Sequence, residues 1–257
     1  MLIEREGEGA PGRARLGSSE RVLLELEGAP EAPRAARGST GLYHFAILLP
    51  TRADLARFLS RSLRARLPFV GFADHFVSEA LYLTDPDGHG IEIYADRPRA
   101  LWEGAVARRM TTQPLDFESL LGELADHQAA SFDRLPAGTV IGHVHLKVAD
   151  IAATVAFYRD VLGLELTAQL GSQAAFFSAG GYHHHIGANT WESAGGAPPA
   201  PESIRLLETT LLVAEERELA DMIGAVEDAG GSLSGDPRQP RVIDPAGNLL
   251  RLALAGA

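Results

Sequence analysis

The segment DPDGHGIEIYAD at 85–96 returns as DPAGNLLRLALA at 244–255, and the repeat that these two segments close constrains the fold more than any other feature of the chain. An internal repeat means that one supersecondary unit is built several times, with neighbouring copies burying faces that a single copy leaves open. One copy runs over 41–98: a strand (YHFAILL), a helix opening at ADLARFLSRSLRARL, a short strand near His75–Tyr82, a turn, and the strand GIEIYAD. Asp-Pro followed by Gly suits a tight turn in which the glycine takes positive φ. A second copy starts at Gly142 with GHVHLKV, continues through the amphipathic helix DIAATVAFYRDVLGL, and predicts strands at LELTAQL, AAFFSAG and YHHHIGA. A third starts near Leu206, where LLETTLLV is the strand and ERELADMIGAVEDAGG the helix, stopped by Gly230-Gly231.

The unit is therefore β-α-β-β-β, about 50 residues long. The first 35 residues read as the tail of one more copy, with GRARLG and ERVLLELEG as closing strands and the opening strand and helix missing. This predicts an α+β protein of tandem βαβββ modules: residues 1–35 a partial first module, 41–98 a second, 99–137 a linker with the short helix FESLLGELADHQ, 138–192 a third, and 204–257 a fourth. An Asp-Pro-bounded strand such as GIEIYAD alternates, so each strand has one buried face.

Composition narrows the function classes. Of 257 residues, 46% are apolar, enough for a sizeable core, yet no apolar run reaches the roughly 18 residues of a membrane span. The opening MLIEREGEGAPGRARLG has no apolar stretch of the secretory kind. Cysteine is absent, which excludes disulfides, thiolate metal sites and a cysteine nucleophile and fits a cytoplasmic protein. A formal net charge of −11 argues against nucleic acid or an anionic membrane as partner. A G-x-S-x-G elbow, a P-loop and a dinucleotide-binding fingerprint are all missing.

Three strands place a metal-capable side chain among apolar neighbours: His44 in GLYHFAILLP, Glu92 in GIEIYAD and His143 in GHVHLKVAD. Two histidines and one carboxylate are the set that leaves half of an octahedral iron(II) open for substrate and oxygen; the same donors accept Mn(II). His145 lies two residues beyond His143 on the same strand face and competes with it as the ligand. His89, in a turn, is expected to be solvated, and His127, on the linker helix, to be a surface residue.

Several patterns carry a resemblance: GLYHFAILLP, DHFVSEALYLTDPDGHGIEIYADRP, FYRDVLG after GHVHLKVAD, and GGYHHHIGANTW. Together they resemble the vicinal oxygen chelate (glyoxalase/bleomycin resistance/extradiol dioxygenase) superfamily, and within it the four-module catechol 2,3-dioxygenase group, over nearly the whole chain from about residue 10. The resemblance implies cupped mixed sheets flanked by helices. It implies an extradiol dioxygenase of aromatic compound catabolism, in which Fe(II) and O2 open catechol or a substituted catechol next to the diol. It places the metal on His44, Glu92 and His143. It gives catalytic roles to Tyr82, to His75 and to His184, with His183 and His185 as alternatives to His184. In the fourth module Glu208 stands where His44 does and Arg251 where Glu92 does, a pairing that repels a cation and suits an internal ion pair. The expected partners are a catecholic molecule and O2, and a homo-oligomer is compatible with the sequence. A glyoxalase-type isomerase or lyase, and a non-catalytic small-molecule-binding protein of the same fold, are the alternatives; the first would need a fourth protein ligand, and the second needs no open iron site.

Overall fold

The computed structural model describes residues 2–6, 12–124 and 132–256; His127 and the end of the linker helix lie outside them. The chain divides into two compact units, 1–32 with 44–143 and 33–43 with 144–257. The architecture is α+β, with mixed sheets and few flanking helices.

In the first unit β1 (Leu2–Glu6), β2 (Arg13–Gly17) and β3 (Val22–Glu27) form an antiparallel meander. Two of these match the expected closing strands; β1 was not anticipated. There follow β4 (Gly41–Leu48), α1 (Arg52–Arg64), β5 (Gly71–Asp74), β6 (Ser78–Thr84), β7 (Gly90–Asp96), the short helices α2 (Val106–Arg109) and α3 (Phe117–Gly122), and β8 (Val140–Lys147). The order β5-β6-β7-β4 has β4 parallel to β7 and the other pairs antiparallel, as a strand-helix-three-strand unit requires. Both β4 and β8 cross the division of the chain, so that His44 and His143 belong to the first unit.

Period-two alternation gives this sheet two distinct faces. Ile47, Leu49, Leu81, Ile93 and Ala95 pack against Leu55, Ala56 and Leu59 of α1. That helix starts at Thr51, whose hydroxyl accepts the Asp54 N–H, and carries Arg61 and Arg64 in its last turn. The opposite face holds Ala46, Ala80 and Tyr94 with Leu48 and Tyr82 beside them, and His44 and Glu92 share it. Glu92 thus sits between Ile91 and Ile93 in sequence without sharing their side of the sheet.

The second unit continues β8 into α4 (Ile151–Val155), whose next turn, Ala156–Val161, is π-helical, then β9 (Glu165–Leu170), β10 (Ala174–Ser178), β11 (Ile186–Asn189), β12 (Thr209–Val213), α5 (Glu216–Asp228), β13 (Arg241–Ile243) and β14 (Leu249–Leu254). Strand β11 runs parallel to β8 and antiparallel to β10; β12 runs parallel to β14. The repeated Asp-Pro turns are built alike. Asp85 accepts the N–H groups of Asp87 and His89, and Asp244 those of Ala246 and Asn248, while Gly88 and Gly247 take φ 95 and 84. His89 is not simply solvated: its Nδ1 lies 3.1 Å from the Asp85 carboxylate. Tyr158 of the FYRDVLG segment is fully buried, and its hydroxyl donates to Asp244 at 3.0 Å.

The expected strand YHHHIGA is shorter than the sequence suggests. Gly180 and Gly181 both take left-handed backbone (φ 61 and 67), and regular pairing begins only at Ile186. His183, His184 and His185 therefore do not alternate as strand residues would. His183 and His184 instead meet through their Nδ1 atoms at 2.8 Å.

Candidate metal centre

His44 from β4, Glu92 from β7 and His143 from β8 converge in the first unit, all three buried. The register brings them together: Ala46 stands opposite Glu92 in the parallel pair β4–β7, which sets His44 one inward step away on the same face. Nε2 of His44 lies 3.0 Å from Oε2 of Glu92, Nε2 of His143 lies 3.3 Å from the same oxygen, and the two Nε2 atoms are 3.3 Å apart. Three atoms bound to one cation at about 2.1 Å are about 3.0 Å apart on an octahedral face and about 3.4 Å apart in a tetrahedron. The observed spacings fall in that range, so two imidazole nitrogens and one carboxylate oxygen fit a divalent ion. Among the described residues, the group of metal-capable side chains with mutually close donor atoms has these three members.

Burial would push the Glu92 carboxyl up, but the His143 and His44 imidazoles more than offset it and hold it well below the usual carboxylate range. The group is ionised, as a ligand must be. Ala46 and Ala80 lie on the same face, both fully buried beside Tyr94.

Tyr94 closes one side, its ring centroid 5.0 Å from that of His143. Its position depends on Gly142: a Cβ added there would stand 1.8 Å from the Tyr94 hydroxyl oxygen and 3.0 Å from Leu48 Cβ. Gly142→Ala is therefore expected to destabilise the protein by about 1–3 kcal/mol, roughly 2–10 °C in melting temperature. An unchanged melting temperature in a thermal scan would show that Tyr94 is not fixed against this strand.

His75 and Tyr82 form a pair in the same unit. His75 Nε2 and the Tyr82 hydroxyl are 2.7 Å apart, and the Tyr82 ring centroid is 5.8 Å from that of His44. The structure thus brings five of the six expected residues into one unit. The sixth, His184, lies in the second unit, buried beside Phe176 with ring centroids 5.1 Å apart. Of its neighbours, His185 lies 3.1 Å from the Ser178 hydroxyl, and burial, with His183 nearby, pushes the His185 imidazole down. His145, the alternative to His143, packs among Tyr43, Phe176 and Trp191 at ring-centroid distances of 5.3–5.7 Å. In the second unit Arg251 and Arg241 both pair with Glu208, Arg251 at 2.8 Å, so the positions aligned with His44 and Glu92 form an ion-pair group.

Sequence reasoning passed over Glu79, a carboxylate only 2% exposed that is held by Arg52 and Arg97. Its signal was a charged residue of SEALYLT in phase with Leu81 and Leu83, on the helix-facing side of a strand.

Comparison with known proteins shows the family. A family profile described as the Glyoxalase/Bleomycin resistance protein/Dioxygenase superfamily matches residues 2–93 and 140–251. A protein of Bacillus subtilis (strain 168) named Catechol-2,3-dioxygenase is 46% identical over 233 residues, covering 88% of this chain and 79% of the relative. Among solved structures, one from Bacillus subtilis subsp. subtilis str. 168 superposes with a TM-score of 0.64 at 13% identity, covering 100% of this chain and 77% of the other. Glyoxalase I from Zea mays superposes at 0.54 with 14% identity, covering 99% and 83%. These two structural likenesses show the fold alone. No helix among the described residues is long and apolar enough to cross a membrane.

Proposed function

Because the chain belongs to the Glyoxalase/Bleomycin resistance protein/Dioxygenase superfamily, we propose that it is an extradiol dioxygenase that uses Fe(II) and O2 to open catechol or a substituted catechol next to the diol. The observation that carries the reading is the buried set of two histidines and one carboxylate with the His75–Tyr82 pair beside it. The resemblance to a relative named for this reaction supports it.

In this reading His44, His143 and Glu92 hold the metal. When bound, iron(II) supplies Lewis acidity and a common attachment point for the diol and O2, while three protein ligands leave positions open for both. The buried, ionised Glu92 keeps the donor set at a single negative charge and favours a divalent cation. Tyr82 meets the diol oxygen through a hydrogen bond with His75 orienting its hydroxyl from behind, and His184 serves as the acid/base that takes and returns a proton. A glyoxalase-type reaction would call for a fourth protein ligand, and the donor group among the described residues has three members.

The test is a panel of catechols given to iron(II)-loaded protein under 18O2, with the ring-opened product identified by mass. Cleavage outside the diol with both labelled atoms retained supports the proposal. Stoichiometric metal without oxygen consumption on any diol would point to an isomerase or lyase. Tyr82→Phe is expected to lower kcat about 100-fold with little change in KM; steady-state kinetics on the cleaved catechol decide it, and an unchanged kcat would remove Tyr82 from the chemistry.

A further inference from the structure

His75 is held by an unusual turn. Its N–H donates to the Ser78 carbonyl at 2.9 Å, and the next residue, Phe76, takes left-handed backbone at φ 69. A bulky residue in that region is strained and persists only where its surroundings over-determine it. Here they do. The Phe76 N–H donates to the Asp74 carboxylate at 2.8 Å, and Arg97 grips the same carboxylate with two N–H groups, one at 2.7 Å. The Arg109 guanidinium lies 3.9 Å from the centre of the Phe76 ring. The chain that follows α2 is fastened at the same place: Gln113 N–H donates to the Asp74 carbonyl and Asp74 N–H to the Gln113 carbonyl, each at 2.9 Å.

Between the Arg109 and Gln113 fixings, the Thr111 carbonyl lies 2.8 Å from His75 Nδ1. A carbonyl oxygen only accepts, so Nδ1 carries the proton. In the neutral imidazole Nε2 is then bare, and the 2.7 Å contact with Tyr82 has one direction: the Tyr82 hydroxyl donates to His75.

We propose that the segment Arg109–Gln113 is a positioning clamp. It fixes His75 as the Nδ1–H tautomer and thereby turns the Tyr82 hydroxyl hydrogen toward His75. Tyr82 then presents its oxygen to substrate as a hydrogen-bond acceptor, suited to receive a diol O–H rather than to donate to a bare oxygen. This consequence for substrate rests on the dioxygenase reading; the tautomer does not.

Thr111→Gly loosens the backbone that carries the carbonyl, and Gln113→Pro removes the N–H that fastens the segment to Asp74. The first readout is the 1H–15N spectrum of the histidine rings in zinc(II)-loaded, substrate-free protein, with the His75 signals identified by their loss in His75→Gln. The expected result is a single Nδ1–H tautomer for wild-type His75, giving way to mixed tautomers in both variants, with the melting temperature of Thr111→Gly near wild type. On the cleaved catechol the same variants lose about tenfold in kcat with KM within twofold. An Nε2–H tautomer in the wild type overturns the proposal, and so does an unchanged single tautomer in Thr111→Gly, which serves alone if Gln113→Pro does not fold. Absence of oxygen uptake by the wild type would sink the dioxygenase reading and leave the tautomer result standing, so the two failures are distinguishable.

Discussion

Glu92→Gln is expected to weaken metal binding more than about 100-fold, beyond the 10- to 100-fold typical of losing a residue that merely supports a ligand. Glutamine keeps the shape of the side chain and removes the charge that faces both imidazoles at 3.0 and 3.3 Å. The effect has a thermal signature. A metal present at about 100 times its Kd stabilises the folded state by about 2.7 kcal/mol, or roughly 5–10 °C in a chain of this size. Wild-type protein should show that rise on adding Fe(II) or Mn(II), and Glu92→Gln should show none. The metal-free proteins should also differ with pH. Glu92 is held below the ordinary carboxylate value near 4.3, so its contribution to stability is fully present above that value and is lost as pH falls through the lowered one. Urea unfolding of both proteins between pH 6 and about 3 should show their stabilities converging at the acid end. A variant that still gains its melting temperature from metal would place the site elsewhere.

Glu79→Ala is expected to be the most destabilising exchange away from the metal centre. The buried Glu79 carboxylate meets Arg52 through two N–H groups at 2.5 and 3.0 Å and Arg97 at 3.3 Å. Arg52 also reaches Glu123 at 2.8 Å and the Ser119 carbonyl at 3.1 Å, so one guanidinium joins the start of α1 to β6 and α3. Removing Glu79 loses three charge-assisted contacts and leaves a void, while Arg52 keeps Glu123 and Arg97 keeps Asp74, so the cost is about 2–4 kcal/mol. The melting temperature should fall by roughly 4–16 °C. A loss below about 1 kcal/mol in urea unfolding would mean that the network behaves as a solvated surface pair. Neighbouring Asp74 gives the network an acid limit. The Arg97 hydrogen bonds hold the Asp74 carboxyl below its usual value, so this contribution is present above about pH 4 and fades as pH falls through the lowered value.

The convergence of His44, Glu92 and His143 was legible because strand periodicity assigns faces. His44, Glu92 and His143 each interrupt an apolar strand, and in the first unit His44 and Glu92 fall on the face away from α1. His143 and His145 share a strand face, so alternation does not separate them; the structure brings His143 to 3.3 Å from Glu92 and packs His145 among Tyr43, Phe176 and Trp191. The YHHHIG segment was misread for a local reason. Two consecutive left-handed glycines carry the chain out of extended geometry, and no alternation survives from His183 to His185. Glu79 carried a signal, but its partners Arg52 and Arg97 lie far from it in sequence, and no spacing rule connects them. The Thr111 carbonyl had no signal at all, since a backbone acceptor in a linker has no side-chain signature.

The most direct test of the account is oxygen uptake with catechol by anaerobically iron(II)-loaded protein, run beside His44→Ala and Glu92→Gln. The account predicts uptake of one O2 per catechol opened by the wild type, and none above background in either variant. Equal uptake in wild type and variants, or none in wild type that holds one metal per chain, would contradict it.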